Sequence, residues 1–200
     1  MQNEDLISQA QSGDTYAQGE VVREWYPRIY NYAFKYFGES DLAAEAAQQT
    51  FITMHHKIDQ LKECSKFKSW IYTIATNICR QESRKGKRHR WLSFDQLLPK
   101  KEEDTSPVWE VSKPREHNPE QTYLRSELGG ILNKCLQQLS KDQREVLIMK
   151  EYEGLKFREI AEALNVSENT VKSRLYYAFS HMRKLLAKEN ITENTLKYEN

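Results

Sequence analysis

The sequence predicts an all-α protein: two small helical domains joined by a flexible linker, the C-terminal one containing a helix-turn-helix. Three observations predict it. Apolar residues recur at helical spacing from Leu6 to Arg90 and again from Tyr123 to Leu186. Between these stretches lie Pro99, Pro107, Pro114 and Pro119, four of the chain's five prolines, around the charged run Lys-Lys-Glu-Glu-Asp at 100–104. Near the C-terminal end, two apolar-periodic segments flank a very short break.

Composition narrows the function classes. Of 200 residues, 38% are hydrophobic and 30% charged, which suits a helix-rich soluble chain. Lys plus Arg number 30 against 29 for Asp plus Glu, so any nucleic-acid contact must come from local basic faces. Cys64, Cys79 and Cys135 are scattered without a Cys-x-x-Cys, which argues against a metal site or disulfide framework. The start, Met-Gln-Asn-Glu-Asp, is polar and acidic, unlike a signal peptide. No apolar run approaches membrane-spanning length. A cytoplasmic protein with no membrane insertion and no cofactor is expected.

In chain order, Leu6 to Gln11 predict a short helix, broken at Ser12-Gly13-Asp14. A longer helix starts at Thr15 and carries Val21, Val22, Trp25 and Tyr26. Pro27 is expected to kink it or to start a new helix. Ile29, Tyr30, Tyr32, Ala33, Phe34, Tyr36 and Phe37 read as core, and Gly38 as a C-cap. Ser40 or Asp41 is expected to cap the next helix, with Leu42, Ala43, Ala46, Ala47, Phe51, Ile52 and Met54 on one side. Its polar face carries Glu45, Gln48 and Gln49. His55 and His56 are adjacent and point in different directions, a poor spacing for a metal pair.

Gln60 to Phe67 read as a polar loop. The helix that follows has Ile71, Ile74, Ala75 and Ile78 as its apolar stripe and Trp70 as a core residue. Thr73, Asn77, Arg80 and Arg84 line another face and run into Lys85, Lys87, Arg88 and Arg90, the most basic stretch of the chain. A basic run is usually just solvated. This one continues a single helical face, which suits a phosphate-tracking surface.

The stretch from Trp91 to about Thr122 reads as the linker, with Trp109 and Val111 as its apolar residues. Leu124, Leu128, Ile131, Leu132, Leu136 and Leu139 mark the next helix. Ser140 caps another, with Val146, Leu147 and Met149 apolar. Glu151 to Gly154 turn into the helix-turn-helix. There Ile160, Ala161 and Leu164 stand on the first helix, and Val171, Leu175, Ala178, Met182 and Leu185 or Leu186 on the second. Asn165 suits a left-handed stop, and Ser167 an N-cap. Val166 fills the small core between them. The outward face of the second helix carries Glu168, Asn169, Lys172, Ser173 and Tyr176, with Thr170, Arg174 and Tyr177 beside it. A recognition helix uses such an N-terminal end to touch base edges in the major groove. The residues after Lys188 have no pattern and are expected to fray.

With these motifs in place, the chain resembles the sigma-70 family of bacterial initiation factors, in its short extracytoplasmic-function form. Glu159-Ile160-Ala161 followed by Thr170-Val171-Lys172-Ser173-Arg174-Leu175 is similar to the family's −35 reader. Trp70-Ile71-Tyr72, Ile74-Ala75 and Asn77 are similar to its −10 region. The resemblance implies a first domain over residues 5–90, a linker over 91–122, a second domain over 123–187 and a tail over 188–200.

It further implies that Glu168, Asn169, Thr170, Lys172, Ser173, Arg174, Tyr176 and Tyr177 face −35 duplex. Lys62, Ser65, Lys66 and Phe67 would receive a flipped −10 base. Thr73, Asn77, Arg80, Arg84, Lys87 and Arg88 would face the adjoining −10 DNA. Glu45, Gln48 and Gln49 would dock on core RNA polymerase. Gln49 departs from the acidic residue usual at its position, and Tyr177 from a frequent arginine. The implied function is to bind core polymerase, direct it to promoters and promote melting, with a monomer when free. Family members are often held by an anti-sigma factor.

Two rivals differ in class. A helix-turn-helix regulator that does not hold polymerase would carry a sensing domain with parallel strands upstream, whereas this N-terminal half reads helical. An enzyme would need a phosphate loop, a nucleophile-base set or metal spacing, and none appears.

Overall fold

The computed structural model describes residues 2–92 and 119–191, with the side chains of 4–85 and 127–191. The linker expected at 91–122, with Trp109 and Val111, lies almost wholly outside the described residues. So do the tail beyond 191 and the side chains of Lys87 and Arg88. Among the described residues there are helices and turns but no strand. The chain divides into two compact units, 1–111 and 112–200.

The first unit holds α1 (Gln2–Gln11), α2 (Thr15–Phe37), α3 (Ser40–Lys57) and α4 (Phe67–Leu92). Asp14 starts α2 by accepting the backbone N–H groups of Tyr16 at 2.8 Å and Ala17 at 3.2 Å. Pro27 does not start a new helix. It sits inside α2 on an exposed side, where a missing N–H costs a rung that water can replace. Gly38 ends α2 at φ 77°, as a left-handed cap requires.

The expected cap of α3 is one residue off. Glu39 is the capping position, Ser40 is already helical, and the Glu39 side chain makes no capping bond. The aromatic run also divides. Ile29, Tyr32, Ala33 and Tyr36 are buried, and the Tyr32 hydroxyl pairs with Thr76 Oγ1 of α4 at 2.8 Å. Tyr26, Tyr30 and Phe34, one helical turn apart, stack in a ladder outside that core, with centroids 6.3 Å apart at each step. Trp25, Ala46, Phe51, Met54, Ile71 and Ala75 complete the centre.

The second unit holds α5 (Pro119–Gln138), α6 (Lys141–Leu147), α7 (Phe157–Leu164) and α8 (Glu168–Lys188). Ser140 caps α6 by accepting the Gln143 N–H. The Arg144 guanidinium then reaches back to the end of α5, donating to Leu136 O at 2.8 Å and Gln137 Oε1 at 2.7 Å. It thereby satisfies carbonyls that the helix end leaves open. After Leu147 the helix widens into a π turn, Ile148–Tyr152. Gly154, at φ 63°, reverses the chain toward α7.

The core combines Leu136, Val146, Ile148, Met149 and Leu155 with the inward faces of α7 and α8: Ile160, Ala161, Leu164, Val171, Leu175, Ala178 and Met182. Of the α7 and α8 positions predicted from periodicity, Ile160, Ala161, Leu164, Val171, Leu175, Ala178 and Met182 are buried, and of the pair Leu185 or Leu186 it is Leu185 that is buried while Leu186 is half-buried.

Candidate nucleic-acid and polymerase interfaces

The turn between α7 and α8 forms for local reasons. The Glu159 carboxylate accepts the Lys156 backbone N–H at 2.7 Å and stabilises the start of α7. Asn165 ends α7 at φ 54° and ψ 51°, and the Val166 N–H bonds back to Ala161 O at 3.0 Å. Ser167 Oγ accepts the Thr170 N–H at 3.1 Å and lies 2.9 Å from Thr170 Oγ1. Only Val166 stands between the stop at Asn165 and the cap at Ser167, and α8 leaves with its N-terminal turn exposed.

Glu168, Asn169, Lys172, Ser173, Tyr176 and Tyr177 are exposed, and Thr170 is half-buried beneath the cap. Tyr176 and Tyr177 are 71% and 61% exposed, so large apolar surface is held in water, which suits contact with a partner. The Phe157 ring gathers charge at this surface. Lys172 Nζ lies 5.7 Å and Lys150 Nζ 4.8 Å from its centroid. Cation–π attraction therefore holds two ammonium groups beside the exposed turn of α8. Lys150 was not among the sequence candidates, because nothing local ties it to α8.

Arg174 is placed differently from its neighbours. Its guanidinium pairs with Asp142 of α6 at 2.6 Å, and its side chain is only 25% exposed. It ties α8 to α6 in this structure, and the expected contact of Arg174 with DNA would require that pair to open.

In the first unit, the chain between α3 and α4 makes two 3₁₀ turns, Ile58–Gln60 and Cys64–Lys66. Ile58 and Leu61 are buried, whereas Lys62, Ser65 and Lys66 are exposed at the tip. Lys66 pairs with Glu63 at 2.8 Å. Phe67 does not join them. It is 3% exposed and meets Trp25 edge-on at 5.2 Å, with Trp70 at 5.9 Å. Its ring anchors the start of α4, apart from the exposed loop tip with which it was expected to receive a base. Trp70, expected in the core, is half-buried. Sequence ranked these two aromatics the other way round, because each precedes the apolar stripe at a plausible phase.

Along α4, Thr73 is half-buried and donates to Ser69 O at 2.9 Å. Asn77 and Arg84 are exposed and Arg80 is half-buried, so the stripe is a real face that water reaches. On α3, Glu45, Gln48 and Gln49 are all exposed. The face of α3 is not electrically isolated. Lys85 of α4 donates to Glu82 at 2.7 Å. This bond and the Glu82 charge raise the Lys85 ammonium above the usual lysine range, desolvation opposes them, and Glu45 adds a smaller push upward. His55 Nδ1 lies 3.0 Å from Gln18 Oε1 of α2, a structural contact.

Family models fall on these units in the same order. Sigma-70 region 2 matches residues 21–89, and sigma-70 region 4 matches 130–182. The chain belongs to the sigma-70 family, in its extracytoplasmic-function group.

This sigma-70 chain is 30% identical over 171 residues to the ECF RNA polymerase sigma factor SigE of Mycolicibacterium smegmatis, covering 86% of the chain and 62% of that relative. It is 29% identical over 182 residues to the ECF RNA polymerase sigma factor SigW of Bacillus subtilis, covering 90% and 94%. Among solved structures, CnrH in complex with the cytosolic domain of CnrY matches with a TM-score of 0.68 at 21% identity, covering 94% of this chain and 99% of that one. The sigma factor RpoE of Bartonella quintana, in complex with the anti-sigma factor NepR, matches with a TM-score of 0.62 at 22% identity, covering 84% and 96%. These two likenesses establish the fold.

Proposed function

We propose that the protein is a transcription initiation factor that binds core RNA polymerase and directs it to promoters through −35 and −10 elements, helping to open the latter. The observation that carries this reading is the pairing, in one chain, of a region 2 unit with an exposed basic helix face and a region 4 helix-turn-helix whose reading end is free. Each half has its own task. The exposed N-terminal turn of α8, with Lys172 and Lys150 beside it, suits the major groove and its flanking phosphates.

The loop tip Lys62, Ser65 and Lys66 suits an extruded base, and Asn77, Arg80 and Arg84 suit the adjoining strand. Thr73 serves through packing beside that strand, its hydroxyl being turned to its own helix. Glu45, Gln48 and Gln49 offer a polar face for polymerase. The protein performs no covalent chemistry; its work is differential binding of duplex and opened DNA. It acts where polymerase acts, in the cytoplasm, and no helix among the described residues is long and apolar enough to cross a membrane. An inhibitory partner of the anti-sigma class is a further reading, supported by the Bartonella relative's complex.

The test is co-purification with bacterial core polymerase followed by size-exclusion chromatography. A stable stoichiometric complex is expected. Duplex DNA binding without any polymerase complex, in protein purified free of partners, would leave a simple helix-turn-helix regulator instead.

A further inference from the structure

The loop between α3 and α4 is held by a residue outside the matched region 2 segment. Gln11 is the last residue of α1, half-buried. Its Nε2 donates to Ile58 O at 2.9 Å and Leu61 O at 2.6 Å. Its Oε1 accepts the Cys64 thiol at 3.2 Å. One amide therefore holds three points of a loop about fifty residues away in sequence. The orientation is chemically determined. Two carbonyls require the NH₂ and a thiol donor requires the oxygen; the reverse placement would set oxygen against both carbonyls. The α1 end is itself fixed, since Gln18 of α2 donates to Ala10 O at 3.0 Å.

We propose that Gln11 is a positioning residue for −10 recognition, shaping the 58–66 loop before the base arrives. This rests on the reading of that loop as the base-receiving element. Ile58 and Leu61 are buried on one side, and Phe67 anchors the far end. Ile58 O also accepts the Leu61 N–H at 3.2 Å within the turn, whereas the Leu61 carbonyl and the Cys64 thiol are tied across to α1 by Gln11. The Gln11 amide thus braces both ends of the loop tip, so Lys62, Ser65 and Lys66 are presented in one arrangement. A site that is already ordered does not spend binding energy on ordering itself when the strand enters. α1 thereby becomes part of the promoter-opening apparatus without touching DNA.

The experiment uses full-length protein assembled with core polymerase and a randomised pool of single-stranded DNA, selected and sequenced. Gln11→Met removes both donors at similar volume. Gln11→Glu keeps the shape but turns oxygen toward the carbonyls. Alkylation of Cys64 reports release of the loop. Both variants are expected to label Cys64 faster, to bind the preferred strand roughly tenfold more weakly, and to lose base preference, with polymerase affinity retained. Unchanged strand affinity and base preference in either folded variant, whether or not Cys64 labels faster, overturns the proposal. Lys62→Ala with Ser65→Ala is the companion test. If that pair leaves base preference untouched, the loop is not the base receiver, and the proposal falls with that reading. If the pair alters preference and the Gln11 variants do not, only the role of Gln11 is lost.

Discussion

Lys172 and Arg174 lie two residues apart on α8 yet are expected to respond differently to truncation. Lys172 is exposed, and its ammonium lies 5.7 Å from the centroid of the Phe157 ring. An exposed cation–π contact is worth roughly 0.5–1 kcal/mol, so Lys172→Ala should change stability little. If its ammonium meets one phosphate, the slope of log affinity against log salt should fall by about 0.9. Arg174 is bound to Asp142 at 2.6 Å, with side chains 25% and 53% exposed. Solvent screening limits such a pair to roughly 0.2–1 kcal/mol. In a domain of this size that corresponds to a midpoint shift of up to several degrees, about 4–8 °C per kcal/mol.

Arg174→Ala should therefore lower the thermal midpoint, and Asp142→Ala should lower it by a similar amount. The double variant should cost less than the sum, as coupled partners do. The assay is fluorescence anisotropy on duplex −35 DNA across a salt series, with thermal unfolding alongside and polymerase binding as the control. Polymerase affinity should be unchanged in both single variants. The reasoning is refuted if Arg174→Ala lowers the salt slope by a full contact while Lys172→Ala leaves it unmoved. That result would mean that the Asp142 pair opens in the complex and that Arg174 is the phosphate ligand.

Ser167→Ala should destabilise the second unit by roughly 1 kcal/mol through loss of the cap on Thr170, measured by urea unfolding; an unchanged midpoint would count against the cap. Asn165→Val should cost roughly 1–2 kcal/mol or more, because a β-branched residue is strained at φ 54°, whereas Asn165→Gly should be tolerated. Equal stabilities for the two would show that the turn does not hold that conformation in solution. Glu45→Lys should weaken polymerase binding in a competition assay, since it reverses the charge on an exposed face of α3. An unaltered affinity would remove Glu45 from the docking surface.

Some features were legible in the sequence because they are settled within a few residues. Ser140, Asn165 and Ser167 act on neighbours one turn away, and each takes the role its side chain predicts. Helical periodicity likewise placed Ile160, Val171, Leu175 and Met182 in the core, since a helix carries its buried stripe at a fixed spacing. The same reasoning missed the cap of α3 by one residue, because neighbouring Glu, Ser and Asp all suit a helix start.

Contacts between distant residues needed the tertiary structure. Phe67 and Trp70 have similar local chemistry, and only the position of Trp25 on α2 decides which is buried deeper. Arg174 reads as one more cation on a polar face until α6 brings Asp142 beside it. Gln11 carries no local sign of function at the end of a short polar helix; its amide matters because α1 packs where the loop carbonyls turn inward. Periodicity and capping are properties of a segment, whereas the partner of a side chain is a property of the packing, and the packing alone decides which polar groups are held and which remain free to bind.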